Sequence, residues 1–154
     1  MNPIPLLLFL HLISVTVWVG GMFFAYVCLR PVVAAQLQPP QRLPLWAAVF
    51  ARFFPWVWLA VVLIPVSGLG VIFQVGWGSA PPHWHAMLAL GVVMMLIFAH
   101  IYFAPFPRLC QGVAAMDWPK AGAALNQIRK MVGINLALGL LTITVATLGT
   151  YLRN

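Results

Sequence analysis

Acidic side chains are almost missing from this 154-residue chain: Asp117 is the only one. Charged residues of either sign make up 6%, where a soluble domain carries about a quarter. Without carboxylates there is no paired-acid hydrolysis and no Ser-His-Asp set. No P-loop and no Gly-rich dinucleotide loop is present either. Hydrolysis and phosphoryl transfer therefore have almost no acid or base to use. Any chemistry left is redox chemistry on a bound cofactor. Cysteine is also scarce. Cys28 and Cys110 lie far apart and form neither a CxxC nor a zinc spacing. They read as small buried fillers. The start, "MNPIPLLLFLHLIS", lacks a basic region and a small-residue cleavage site. It reads as the opening of a membrane span, not as a removed signal peptide. No internal repeat or low-complexity linker is visible.

What fills the chain is apolar: 64% of residues are hydrophobic. A core this small cannot hide that many, so lipid must cover the surplus. Four runs stand out, at about 4–28, 53–73, 82–104 and 132–152. Each approaches the roughly 20 residues that cross about 30 Å of hydrocarbon. Only helices satisfy their own backbone in lipid at that length. The expected fold is all-α: a single four-transmembrane-helix domain, an up-down-up-down bundle spanning 1–154. Asp117-Trp118-Pro119 reads as a helix start, so the fourth helix is expected to begin near Pro119, before it enters lipid.

The net charge of +7 comes from cations placed between the apolar runs. Arg30, Arg42 and Arg52 flank the first connection. Arg108, Lys120, Arg129 and Lys130 lie in the third, and "QVGWGSAPPH" between them has no Lys or Arg. This pattern points to topology signals and anionic lipid, with no nucleic-acid partner. It places both termini on the outer (periplasmic) side of a bacterial inner membrane. Only the amino group and Arg153 mark those ends. Trp77 and Trp84 suit the outer interface; Trp46 and Trp118 suit the inner one. Arg52 reads as snorkelling to the inner interface.

Histidine is the polar residue that needs a reason, because intramembrane ionisable groups are costly. His11, Ser14, Trp18 and Met22 form one stripe of the first helix. His85 sits near the outer end of the third helix. Helices one and three lie diagonally across such a bundle. Two imidazoles facing each other there would make a bis-histidine haem site or part of a metal site. His11 and His85, with Trp18 and Ser14, are thus the candidate cofactor-binding residues. His83 reads as interfacial, or as an additional outer ligand. His100 lies about 22 Å below His85 at about 1.5 Å per residue. It belongs to the inner half, as a second metal position or a buried hydrogen bond. Met22, Met87, Met94 and Met95 are also membranous. Thioethers suit Cu(I), and imidazole suits copper or haem iron. Met87 and Met94 share a face. Met87 lies roughly 200° from His85 around the helix, so an inward His85 would turn Met87 outward. Helix four carries a stripe of small or short side chains, Asn135, Gly139, Thr142, Ala146 and Gly149. Such stripes let helices approach closely in lipid, as do Gly20-Gly21 and Gly68-x-Gly70.

"LHLISVTVWVGGMFFAYVCLRP" (10–31), "HWHAMLALGVVMMLIFAHIYF" (83–103) and "IRKMVGINLALGLL" (128–141) resemble the helices of small CopD-type (copper resistance D) membrane proteins. They are also similar to HemJ-type protoporphyrinogen oxidases. The HemJ resemblance implies that His11 matches a helix-one histidine used on haem b. His85 falls on the histidine of a W-L-H-x-K segment, and Met87 on its lysine. Asn135 falls on a helix-four asparagine, but the Glu-x-Pro that follows it there is Leu-Ala-Leu here. Both departures favour the CopD side, which is associated with copper handling across the inner membrane. They also speak against protoporphyrinogen oxidase activity.

The leading expectation is a b-type haem protein with a redox or electron-transfer role, His11 and His85 being axial ligands. Whether it is an enzyme, such as a haem-dependent oxidoreductase, is left open. The alternative is a CopD-like copper transport or copper-binding protein. Its metal ligands would come from His11, His85, His83, His100, Met22 and Met94. A third reading is a non-catalytic subunit that partners itself or a larger membrane complex through helix four.

Overall fold

Four long helical stretches make up the protein: Ile4–Gln36, Pro39–Val75, Pro82–Ala114 and Trp118–Tyr151. They are seen in a computed structural model that describes residues 2–151. Each is long and apolar enough to cross a membrane. The first joins α1 (Ile4–Phe23), a six-residue π turn (Phe24–Leu29) and α2 (Arg30–Gln36). The second is α3 (Pro39–Val75). The third joins α4 (Pro82–Phe103) to α5 (Pro105–Ala114), and the fourth is α6 (Trp118–Tyr151). No strand occurs among the described residues. Arg153 and residue 152, expected at the end of the last span, lie outside the described residues.

Proline sets many of these boundaries. It occupies the first turn of α1, α3, α4 and α5, where no intrahelical N–H is required. Pro31 also accounts for the π turn. Its ring would meet a carbonyl one turn back, and the wider turn makes room, with the Arg30 N–H bonding the Ala25 carbonyl instead. Three further prolines, Pro44, Pro55 and Pro65, lie inside α3. At the far end of the bundle the Asp117 carboxylate accepts the Lys120 N–H at 3.0 Å and caps α6. The helix start expected there is present, with Pro119 in its first turn.

The helices alternate in direction. Leu7 lies on Gly70, His11 on Gly68 and Phe53 on Gly21, so α1 and α3 run antiparallel. Gly149 receives His83 and Gly139 receives Met94, so α4 and α6 are antiparallel too. Gly139 also touches Val19, and Gly133 touches Tyr26, which sets α1 antiparallel to α6. Helices α1 and α4 thus run the same way, on opposite sides of the bundle. The end holding Gly76 to His85 is called upper below; the end holding Arg30 and Arg108 is called lower. Gly112 lets the α5 backbone meet the start of α6, because a Cβ there would lie 2.8 Å from the Ala121 nitrogen.

The lower core is aromatic. Phe50 stacks on Phe54 at 5.2 Å, and Phe54 meets Phe98 and Phe106 edge-on at 5.4 and 4.9 Å. The outward faces are as apolar as the core, with Leu6, Phe9, Val62, Val66, Phe73, Leu96 and Phe103 exposed. In water such a surface would aggregate; in lipid it is the expected covering.

Several expectations change. The helices outrun the apolar runs, because helix continues where hydrophobicity stops. The second begins at Pro39, not near 53, and most of the third connection is α5 and the first turns of α6. Trp46 is buried against Phe50, so it is core and not an interfacial anchor. Cys28 is exposed and Cys110 half-buried, so neither is a fully buried filler. Gly20 has open space around it; only Gly21 of that pair serves packing.

Candidate functional site

The stripe on α1 is one inward face. Ser14, Trp18 and Met22 are buried, and His11 is half-buried above them. His11 reaches across to α3. Its Nδ1 lies 3.1 Å from the Ile64 carbonyl and 3.1 Å from Ser67 Oγ. Ser67 is fixed in turn, because its hydroxyl donates to the Leu63 carbonyl one turn back. A carbonyl can only accept, so Nδ1 carries the hydrogen and Nε2 keeps its lone pair. Gly68 is what admits the ring: a Cβ there would lie 3.2 Å from His11 Cε1.

That imidazole borders a cavity of about 210 Å³ in the upper half of the bundle. Its wall includes Trp18, Gly68, Met87, Met94, Met95 and Thr142, so all four long helices contribute. The Thr142 hydroxyl donates to the Leu138 carbonyl at 2.8 Å and lies 4.0 Å from Met94 Sδ. Gly139 leaves space for Met94, whose methyl would be 3.2 Å from a Cβ placed there. Apart from His11, Thr142 and the indoles of Trp18 and Trp84, the wall is apolar side chains, glycine and methionine. The His11 imidazole and three methionine side chains therefore border one largely apolar space. This donor set is soft and uncharged, which suits Cu(I) far better than a hard divalent ion.

His85 does not join it. Its ring packs edge-on against Trp77 at 5.0 Å, beyond the cavity wall. The facing pair of His11 and His85 expected for axial haem ligation is not formed. The reason is helical phase. His85 and Met87 are about 200° apart, and α4 turns Met87 inward, leaving His85 out. The chamber is also smaller than the roughly 300 Å³ at which pockets for drug-sized ligands begin. A haem does not fit the residues as placed, and no step is derived through it.

The remaining sequence candidates are scattered. His83 packs its ring base on Gly149, with Nε2 3.5 Å from Thr150 Oγ1. His100 is exposed at the lower end, where its Nε2 lies 3.5 Å from Gln127 Nε2. Gln127 Oε1 accepts from Arg108 at 3.1 Å, which completes a polar row at that end. Ser14 spends its hydroxyl on the Leu10 carbonyl at 2.7 Å and does not border the cavity. Met22 lies below Trp18, in a separate and smaller space. Among the described residues no group of three or more His, Cys, Asp or Glu side chains converges. Sequence reasoning undervalued Met87 and Met95. The signal was present, since Trp84, Met87, Gly91 and Met94 repeat every three to four residues while His85 falls out of phase.

Four apolar spans around an upper cavity bordered by His11 and three methionines define a multi-pass membrane protein. The chain belongs to the copper resistance D (CopD) family: the family model described as copper resistance protein D matches residues 47–148, more than half of the chain. Neither the curated proteins nor the solved structures include a match to it. The matched region covers Ser67, Gly68 and the three cavity methionines. His11 lies before it.

Proposed function

We propose that this protein is a copper-handling component of a bacterial inner membrane, which binds Cu(I) in the upper cavity through His11 and the α4 methionines. Membership of the copper resistance D family supports the metal. The observation that carries the site is the meeting of His11 with Met87, Met94 and Met95 in one chamber. Copper here is cargo. Thioethers and one neutral imidazole bind Cu(I) without a fixed negative charge, so the ion is held weakly enough to leave again. The Ile64 carbonyl and Ser67 hydroxyl hold the imidazole tautomer and its angle, which raises the basicity of Nε2. Cation placement puts the upper end on the periplasmic side, where the cavity would receive its ion.

The test is Cu(I) competition against a chromophoric chelator, with the purified protein in lipid nanodiscs under reducing conditions. Wild type is expected to take Cu(I) from the chelator. His11→Ala, and a triple Met87→Leu, Met94→Leu, Met95→Leu variant, are each expected to lose at least tenfold in affinity. Equal affinity in all three proteins would remove the site. In cells, equal copper accumulation with and without the protein would argue against a handling role.

A further inference from the structure

Two arginines at the lower end of the bundle have no counter-charge in the protein. Arg30, at the start of α2, is half-buried, and its guanidinium lies 5.0 Å from the centre of the Tyr26 ring. Arg129, on α6, is exposed and donates to Asn126 Oδ1 at 2.6 Å. Both partners are neutral. Asp117 is the only acidic side chain of the chain. It accepts the Lys120 N–H, and it precedes Arg129 by 12 residues, about 18 Å along the helix. Among the described residues neither arginine has an acid to pair with. A charge drawn part-way out of water without a counter-charge is costly.

The register of α1 on α6 sets the two arginines side by side. Val19 lies on Gly139 and Tyr26 on Gly133, so the helices run antiparallel with a steady offset. One turn further down, Arg30 stands level with Arg129. Arg30 follows Tyr26 by four residues and Arg129 precedes Gly133 by four, so each keeps the face of the contact above it. The Tyr26 hydroxyl is at that contact, 3.0 Å from a Cβ placed at Gly133. Depth agrees with register. Arg30 is about 39 Å below Ile4, and Arg129 about 33 Å below Tyr151, at about 1.5 Å per residue. Hydrocarbon takes about 30 Å, and the headgroup layers bring the bilayer to about 40–45 Å. The pair therefore stands at the level of the lower headgroups. Within two turns above it, Phe23, Val27 and Ile134 are exposed.

We infer that Arg30 and Arg129 hold the phosphate of an anionic phospholipid in the lower leaflet, its acyl chains lying on the apolar surface above. A guanidinium presents paired N–H groups that match the oxygens of a phosphate. Two guanidiniums at one level repel each other until an anion enters between them. A free anion would answer the charge and leave the apolar surface unused; a phospholipid answers both. The proposal uses no residue of the upper cavity and does not depend on copper.

The experiment titrates the full-length protein in detergent with phosphatidylglycerol and reads lipid adducts by native mass spectrometry. Wild type is expected to hold one phosphatidylglycerol per chain about tenfold more tightly than phosphatidylcholine, whose choline neutralises its own phosphate. Arg129→Gln is at an exposed position, where folding is not at stake, and is expected to weaken phosphatidylglycerol about tenfold. Arg30→Gln combined with Arg129→Gln is expected to abolish the preference between the two lipids. Lys120→Gln removes the same charge from an exposed position on the same helix, about 13 Å away. Surface charges are screened beyond about 10 Å at 0.1 M salt, so this variant should stay within about twofold of wild type. Equal losses in Arg129→Gln and Lys120→Gln would reveal only a diffuse field and overturn the site. Equal wild-type affinity for the two lipids would do the same. An excess of inorganic phosphate is expected to leave the lipid bound; if it strips the lipid, the site is one for free anions and the lipid is overturned as its occupant.

Discussion

Gly68→Ala tests how His11 is held without touching any metal ligand. A Cβ at position 68 lies 3.2 Å from His11 Cε1 and 3.4 Å from Nδ1. Ordinary van der Waals contact is a few tenths of an ångström longer, so the ring must withdraw from α3 by that amount. Withdrawal stretches both 3.1 Å contacts, to the Ile64 carbonyl and to Ser67 Oγ, toward the limit at which hydrogen bonds weaken. Groups that orient a metal-binding histidine are worth about 10–100-fold in affinity. The lower end applies here, because the bonds stretch but do not vanish. Cu(I) affinity is expected to fall about tenfold, or about 1.4 kcal/mol. Stability moves little, because alanine in a helix interior gains about 1 kcal/mol over glycine and offsets the crowding. The assay is chelator competition beside a thermal melt in the same nanodiscs. Unchanged affinity would refute the orienting role of the α3 contact. Lost affinity with a collapsed melt would show only that the helix pair had come apart.

His85→Ala is expected to leave Cu(I) affinity within twofold of wild type, since its ring packs on Trp77 outside the cavity; the same chelator titration reads it. Gly139→Leu forces a side chain into space held by Val19 and Met94 at 3.0 and 3.2 Å, and should cost about 1–3 kcal/mol in denaturant unfolding. Gly20→Ala, which meets nothing within 4 Å, is its control and should not destabilise, gaining up to about 1 kcal/mol from helix propensity. Asp117→Ala removes the cap on α6 and should destabilise by about 0.5–2 kcal/mol, read from the same unfolding curves. Gly78→Cys, with Cys28 and Cys110 changed to serine, should react with an impermeant maleimide added outside intact spheroplasts. Labelling only after lysis would reverse the orientation inferred from the cations.

The sequence by itself determined the class of this protein. Four apolar runs and one acid leave no soluble solution, and backbone hydrogen bonding in lipid leaves only helices. Asp117 and Pro119 announced the last helix, and the glycines on α6 marked close approach at 139 and 149. Periodicity also placed His11, Ser14, Trp18 and Met22 on one face. What it could not fix was rotation. Residues 85 and 87 are nearly opposite on α4, and a span that is apolar all round gives no hydrophobic face to say which one looks inward. Only packing against α6, with Met94 on Gly139 and His83 on Gly149, set that angle and turned Met87 toward His11. The partner of His11 was hidden for a similar reason. Ser67, Gly68 and the Ile64 carbonyl lie more than fifty residues away in sequence, and only the antiparallel register of α1 on α3 brings them to the ring.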